Sequence, residues 1–220
     1  MSNLDVWGRH VLGFDLDMTL VDTRMATAFA LREVNRLLRT RVDVESCVAA
    51  IGLPLRGELA RWIPAEKLDD AIRTFVAVFR SGGLRRVRPL PGARELLDAL
   101  RRGGGSSVVI TGRSPRMAVA CLRTCGLSAP VVVGSASGPA KTPAIRTHRV
   151  AAYFGDHPMD MASAVAAGTT GVGVLTGSHS AADLSRAGAR LVLPTLHDLG
   201  GVPFDITVRF AAADCDTENG

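Results

Sequence analysis

The stretch His10-Val11-Leu12-Gly13-Phe14-Asp15-Leu16-Asp17 (HVLGFDLD) decides the fold. Residues 10–16 are a short apolar run that ends in acids. Such a run reads as a strand buried on both faces, as in parallel sheets. Five more runs of this kind follow: Ser107–Thr111 (SVVIT), Pro130–Gly134 (PVVVG), Val150–Phe154 (VAAYF), Gly171–Leu175 (GVGVL) and Ala189–Leu193 (ARLVL). Helical patterns lie among them. Ala93–Arg102 is amphipathic and stops at Gly103-Gly104-Gly105. Arg116–Cys125 closes at Gly126, Asp160–Ala167 at Gly168, and Ala181–Ala187 forms another helix. Alternation of short strands with helices predicts an α/β fold, a Rossmann-like parallel sheet with helices on both faces.

One block breaks the rhythm. Thr23 to Leu38 has helical apolar spacing, and Gly57–Trp62 and Ala65–Phe79 read as further helices ended by Gly82-Gly83. Pro89-Leu90-Pro91-Gly92 then marks a turn. We therefore expect a core made of residues 1–22 and 89–202, a small helical subdomain over 23–88 inserted after the first strand, and a tail over 203–220 whose last residues, Asp214–Gly220, fray.

Composition excludes several classes. The 220 residues suit a core plus a small extra unit, at roughly 100–200 residues per domain. A hydrophobic share of 47% against 21% charged residues gives enough apolar surface for a real core. The net charge of +5 raises a nucleic-acid partner, but Arg85-Arg86-Val87-Arg88 and Arg101-Arg102 are short runs without interleaved aromatics, so none is expected. No run of 18 apolar residues marks a membrane span, and no secretory signal pattern opens the chain. Cys47, Cys121, Cys125 and Cys215 form no CxxC pair, and Cys121 and Cys125 sit in an apolar helical stretch. A reducing cytoplasm is the expected compartment.

In open parallel sheets, ligands bind beyond the carboxyl ends of the strands. The first strand ends in Asp15-Leu16-Asp17, the second in Thr111-Gly112-Arg113, and the fourth in Gly155-Asp156, with Asp160 four residues on. Lys141 lies between the third and fourth. Gathered carboxylates repel unless a cation lies among them, and Mg²⁺ takes such oxygens together with a phosphate. Asp15, Asp17, Asp156 and Asp160 are the candidate metal ligands. A carboxylate can also act as a nucleophile, forming an acyl phosphate that water cleaves. Asp17, two residues on, would point the same way along an extended chain and serve as general acid and base. Lys141 and Thr111 would stabilise phosphoryl oxygens, helped by backbone N–H groups around Gly112.

This constellation resembles the four-motif signature of the haloacid-dehalogenase-like superfamily. Phe14-Asp15-Leu16-Asp17-Met18-Thr19-Leu20-Val21-Asp22 is similar to its first motif, with Asp15 as nucleophile. Val109-Ile110-Thr111-Gly112-Arg113 is similar to the second and Lys141-Thr142-Pro143 to the third. Gly155-Asp156-His157-Pro158-Met159-Asp160 is similar to the fourth. Leu175-Thr176-Gly177 and Ala187-Gly188-Ala189 resemble the phosphoglycolate-phosphatase-like branch.

The resemblance implies an Mg²⁺-dependent phosphatase acting on a small phosphorylated metabolite through an aspartyl-phosphate on Asp15. Thr111, Gly112, Arg113 and Lys141 would bind its phosphate. The helical block would be a cap, with Arg56 in Ile51-Gly52-Leu53-Pro54-Leu55-Arg56 as a substrate-facing cation and Trp62 packed inside it. The alternatives are a phosphomutase of the same superfamily and an inactive binding or regulatory protein on this fold. Asp17 argues against a dehalogenase or phosphonatase.

Some positions depart from the pattern. Thr142–Arg149 has room for a helical turn or two where the family fits a full helix. Either the sheet crosses over there with little cover, or another chain covers it, as in a homodimer. His157 stands where the family has a small hydroxyl residue, and reads as a supporting or loop histidine, with a ligand or base role as the alternative. Arg113-Ser114 replaces the commoner pattern after the threonine.

Overall fold

The structure is a computed structural model that describes residues 10–201. The tail over 203–220, the fraying expected at Asp214–Gly220 and Cys215 lie outside the described residues. The strands are β1 (Val11–Phe14), β2 (Val21–Asp22), β3 (Arg88–Pro89), β4 (Ser106–Ile110), β5 (Val131–Val133), β6 (Ala152–Gly155), β7 (Thr170–Val174) and β8 (Ala189–Leu193). The α-helices are α1 (Arg24–Leu38), α2 (Val44–Ala49), α3 (Leu55–Ala60), α4 (Ala65–Val78), α5 (Ala93–Arg102), α6 (Pro115–Thr124), α7 (Lys141–Thr147), α8 (Pro158–Ala167) and α9 (Ala181–Arg186).

Six strands form one parallel sheet in the order β5-β4-β1-β6-β7-β8. The chain builds outward from β1 to β5, then returns across the sheet to β6 and builds the other way. The order therefore reverses beside β1, and the crevice beyond its carboxyl end is where such a sheet places a ligand.

Alternation along the central strands divides the core in two. Leu12, Phe14, Val109, Ala152 and Phe154 face one side and join the larger cluster with α1, α4, α5 and α6. Val108, Ile110 and Tyr153 face the other and pack on Ile145 of α7 and Ala164 of α8. Phe14 and Phe154 stack across neighbouring strands with ring centroids 5.0 Å apart. Gly13 faces the second layer with no side chain. A Cβ there would lie 2.7 Å from the Tyr153 ring and 2.8 Å from Val150, so only glycine lets those side chains close over β1.

The crossover before β6 is covered within the chain. Two turns of α7 suffice because Ile145 is fully buried and α7 packs along α8. On the other side of β1, helices α1 to α4 leave and rejoin the core through the short antiparallel pair β2–β3. No described helix is long and apolar enough to cross a membrane.

Two sequence expectations change in this insertion. Gly82-Gly83 does not end the helical block. The chain continues as a π-helical turn over Phe79–Gly83 and a 3₁₀ turn over Leu84–Arg86. The reason is packing: the Phe29 ring of α1 occupies the place of a Gly82 side chain, where a Cβ would lie 2.7 Å from it. An additional helix, α2, is capped by Asp43, whose carboxylate accepts from the N–H of Glu45 at 3.0 Å and of Ser46 at 3.1 Å.

Candidate active site

Extended pairing of β1 stops at Phe14, two residues before the expected end. The Asp15 N–H still donates to the Phe154 carbonyl at 2.8 Å, which fixes Asp15 at the strand tip. The chain then turns tightly. Met18 takes a left-handed φ of 57°, and the N–H groups of Leu20 and Val21 return to the Leu16 carbonyl. Asp17 therefore sits in a turn rather than on an extended strand.

Lys141 opens α7 and reaches back to the strand tips. Its Nζ lies 2.7 Å from Asp15 Oδ1 and 2.5 Å from Asp160 Oδ1. Asp160 is held from behind by the His157 N–H at 3.2 Å, in a capping box at the start of α8. Asp156 follows β6 and accepts from the Thr19 hydroxyl at 3.3 Å. All four charged side chains are buried.

Three carboxylates against one ammonium leave an excess of negative charge out of water. Burial, reinforced by Asp160 and Asp17, pushes the Asp15 carboxyl up to about 7 despite the attraction of Lys141. Burial and then Asp15 and Asp160 push Asp156 well above the usual carboxylate range. Burial opposes the charge on Lys141, but Asp15 and Asp160 outweigh it and hold the ammonium well above its ordinary value.

Asp15, Asp156 and Asp160 each offer a carboxylate oxygen to one group, and these atoms lie within 4.8 Å of one another. Hard oxygen donors in net negative surroundings fit a divalent cation such as Mg²⁺. Gly177 makes room for this arrangement: a Cβ there would lie 1.9 Å from Asp156 Oδ2.

Asp17 has a different partner. The Arg113 guanidinium grips its carboxylate, Nε to Oδ1 at 2.9 Å and to Oδ2 at 2.8 Å, and Nη2 to Oδ1 at 2.7 Å. The Thr23 hydroxyl donates to Oδ1 at 2.5 Å. Arg113 itself lies over the Phe79 ring, 4.4 Å from its centroid. Thr111 follows β4 with its hydroxyl buried, accepting from the Arg113 N–H at 3.3 Å. A cavity of about 240 Å³ opens between this cluster and the helical insertion, with Asp15, Asp17, Thr111, Gly112 and Arg113 along its floor.

A family model described as haloacid dehalogenase-like hydrolase matches residues 12–174. The chain belongs to that family. A protein named "Probable phosphatase IndB" from Dickeya dadantii (strain 3937) is 31% identical over 211 residues, which cover 86% of this chain and 90% of that protein. A haloacid dehalogenase-like hydrolase from Streptococcus pneumoniae has the same fold, with a TM-score of 0.76 at 18% identity over 87% of this chain and 97% of its own. So does a chain described as a "predicted phosphoglycolate phosphatase" from Haemophilus somnus, with a TM-score of 0.75 at 18% identity over 87% and 96%.

In this haloacid dehalogenase-like hydrolase, Asp15, Asp17, Thr111, Gly112, Arg113, Lys141, Asp156 and Asp160 all meet at one crevice. Two assignments from sequence change. The Asp17 carboxylate is not in the group that could hold a metal; Arg113 and Thr23 hold it instead. Arg56 does not face the cavity. It is more than half exposed on α3 and ion-pairs with Asp69.

Thr19, Thr23, Phe79 and Gly177 join the site without a role that the sequence assigns to them. Thr19 could have been found from its two-residue spacing past Asp17, and Thr23 from its place just before the first helix. Phe79 and Gly177 meet the site only through packing. His157 caps α8, its Nδ1 accepting from the Met159 N–H at 3.0 Å, and lies edge-on to His179.

Proposed function

We propose that this hydrolase is an Mg²⁺-dependent phosphatase that cleaves a small phosphate monoester through an aspartyl-phosphate on Asp15. The observation that carries the reading is the buried Asp15 carboxylate. It is fixed at a strand tip, held by Lys141, and opens onto a cavity beside a second carboxylate that is held separately.

Asp15, Asp156 and Asp160 would hold the Mg²⁺, which when bound would neutralise their charge and that of the phosphoryl oxygens. Once Arg113 turns to the phosphate, Asp17 takes up the proton of the monoanionic ester; an oxygen of Asp15 then attacks phosphorus as the ester oxygen departs with that proton from Asp17. Asp17 then takes a proton from a water that attacks phosphorus, releasing inorganic phosphate and regenerating Asp15. Lys141 keeps Asp15 oriented and offsets charge on the phosphoryl group, and Thr111 and the N–H groups near Gly112 contribute hydrogen bonds. Arg113 orients Asp17 before the ester arrives and can exchange that carboxylate for an incoming phosphate oxygen. The helical insertion acts as a cap that keeps bulk water from the intermediate.

Buried Cys47, Cys121 and Cys125 carry no disulfide and fit a reducing cytoplasm. The test is release of phosphate from an aryl phosphate with and without Mg²⁺. Activity that needs the metal and disappears in a folded Asp15→Asn variant supports the reading, and full activity in that variant refutes it.

A further inference from the structure

We infer that the cavity above Asp15 selects phosphate esters whose organic group is largely apolar and carries no second negative charge. The inference rests on the phosphatase reading and names the class of ester that this site takes. The floor of the cavity supplies the groups that suit a phosphate. The opposite wall comes from the helical insertion, and its character is different. Ile51, Leu53, Pro54, Leu55, Phe75 and Val76 give it an apolar surface.

Charge on this wall is one-sided. Among the described residues that line the cavity, Arg113 is the single cation, and Asp17 holds it at the phosphate end. Arg56, the cation expected from sequence to meet the substrate, is turned outward to Asp69. The wall instead carries an acid, Glu58. Its side chain is only 13% exposed and is paired at 2.9 Å with Arg61, which does not line the cavity. A carboxylate or second phosphate on the leaving group would lose its water against apolar side chains, find no cation and face Glu58. Burying an unpaired charge is strongly unfavourable.

Hydrogen-bonding capacity on the wall is also sparse. Its polar side chains are Thr27, Cys47 and Glu58, and the core side of the cavity adds only Ser114 and Ser137 beyond the phosphate-facing groups. A polyhydroxylated leaving group would bury more hydroxyls than these can satisfy. The Thr27 hydroxyl is buried on α1 and has no hydrogen-bond partner among the described residues. The cavity, at about 240 Å³, is below the roughly 300–1,000 Å³ common for drug-sized ligands, so the organic group is small. A single ring or short branched chain with at most one hydroxyl or amino group matches the volume, the apolar wall and its few polar groups.

The experiment measures kcat/KM by phosphate release, with the full chain and Mg²⁺, on four esters of alkyl alcohols: benzyl phosphate, 2-phenylethyl phosphate, phosphoglycolate and glycerol 3-phosphate. Their similar leaving-group chemistry leaves recognition as the variable. The aryl-alkyl esters are expected to exceed phosphoglycolate by at least about tenfold, since the anion meets no counter-charge. Val76→Arg places a cation on the wall at a position that is 40% exposed and tolerant of a longer side chain. It should shift the preference toward phosphoglycolate by about fivefold or more. Equal or better turnover of phosphoglycolate or glycerol 3-phosphate, with Asp15→Asn inactive on all four, overturns this inference and leaves the phosphatase reading standing. No Mg²⁺-dependent cleavage of any ester by the wild-type chain overturns both.

Discussion

Replacing Asp15 by Asn should destroy activity and, without metal, make the protein more stable above neutral pH. The carboxyl of Asp15 is pushed up to about 7 from an ordinary 3.8, because burial and the nearby Asp160 and Asp17 outweigh Lys141. A group whose folded pKa lies above its unfolded value binds its proton more tightly in the folded chain. Its contribution to stability is complete below the unfolded value and is lost as pH rises through about 7. About three units at 1.36 kcal/mol each give an upper bound of ~4 kcal/mol at pH 8 for keeping Asp15 ionised in the folded state, net of the Lys141 attraction. Asn keeps the shape and can still accept from Lys141, whose ammonium retains Asp160.

Urea unfolding in a chelator at about pH 5 and pH 8 tests this. Asp15→Asn should gain roughly 1–4 kcal/mol over wild type at pH 8, and that gain should shrink toward pH 5. Added Mg²⁺ should then stabilise wild type far more than the variant. A variant less stable than wild type at pH 8, or a difference that ignores pH, would refute the claim that crowded negative charge is stored around Asp15.

Three further outcomes follow from contacts in the site. Gly177→Ala puts a Cβ 1.9 Å from Asp156 Oδ2, so the carboxylate must shift, and the Mg²⁺ concentration for half-maximal activity should rise about 10–100-fold; an unchanged metal titration would remove Asp156 from the ligand set. Arg113→Met frees Asp17 and should lower kcat by about 10–100-fold with a reshaped pH profile, as expected when general acid–base catalysis loses its orientation; a changed KM with intact kcat and pH profile would make Arg113 a phosphate-binding group only. Phe79→Ala removes a fully buried ring under Arg113 and should cost about 3–5 kcal/mol in urea unfolding, with a loss below about 1 kcal/mol contradicting its place in the core.

The sheet was legible because its strands are buried on both faces, so apolar runs such as Val108-Val109-Ile110 and Tyr153-Phe154 stand out without periodicity. The acids at their carboxyl ends were legible for the same reason, since parallel strands bring those ends to one edge. Strand ends were less so: β1 stops at Phe14 because Met18 adopts a left-handed turn that no apolar pattern announces.

The roles of Asp17 and Arg56 depended on partners far along the chain. Arg113 lies 96 residues from Asp17 and reaches it only after β1 and β4 pair in parallel. Arg56 is drawn outward by Asp69, one helix on, and sequence alone offered several acids of equal merit. Gly82-Gly83 reads as a helix stop, yet the Phe29 ring fills the space they leave and the helical path continues.

The most direct measurement is capture of the phosphorylated enzyme. The wild-type chain is mixed with excess aryl phosphate and Mg²⁺, quenched in acid, reduced with borohydride and digested for peptide mass analysis. An acyl phosphate on Asp15 would be reduced to homoserine at that residue alone, and Asp17→Asn should increase its yield by slowing attack of water. Phosphate release without any modification at Asp15, or homoserine at another aspartate such as Asp17, would contradict the account.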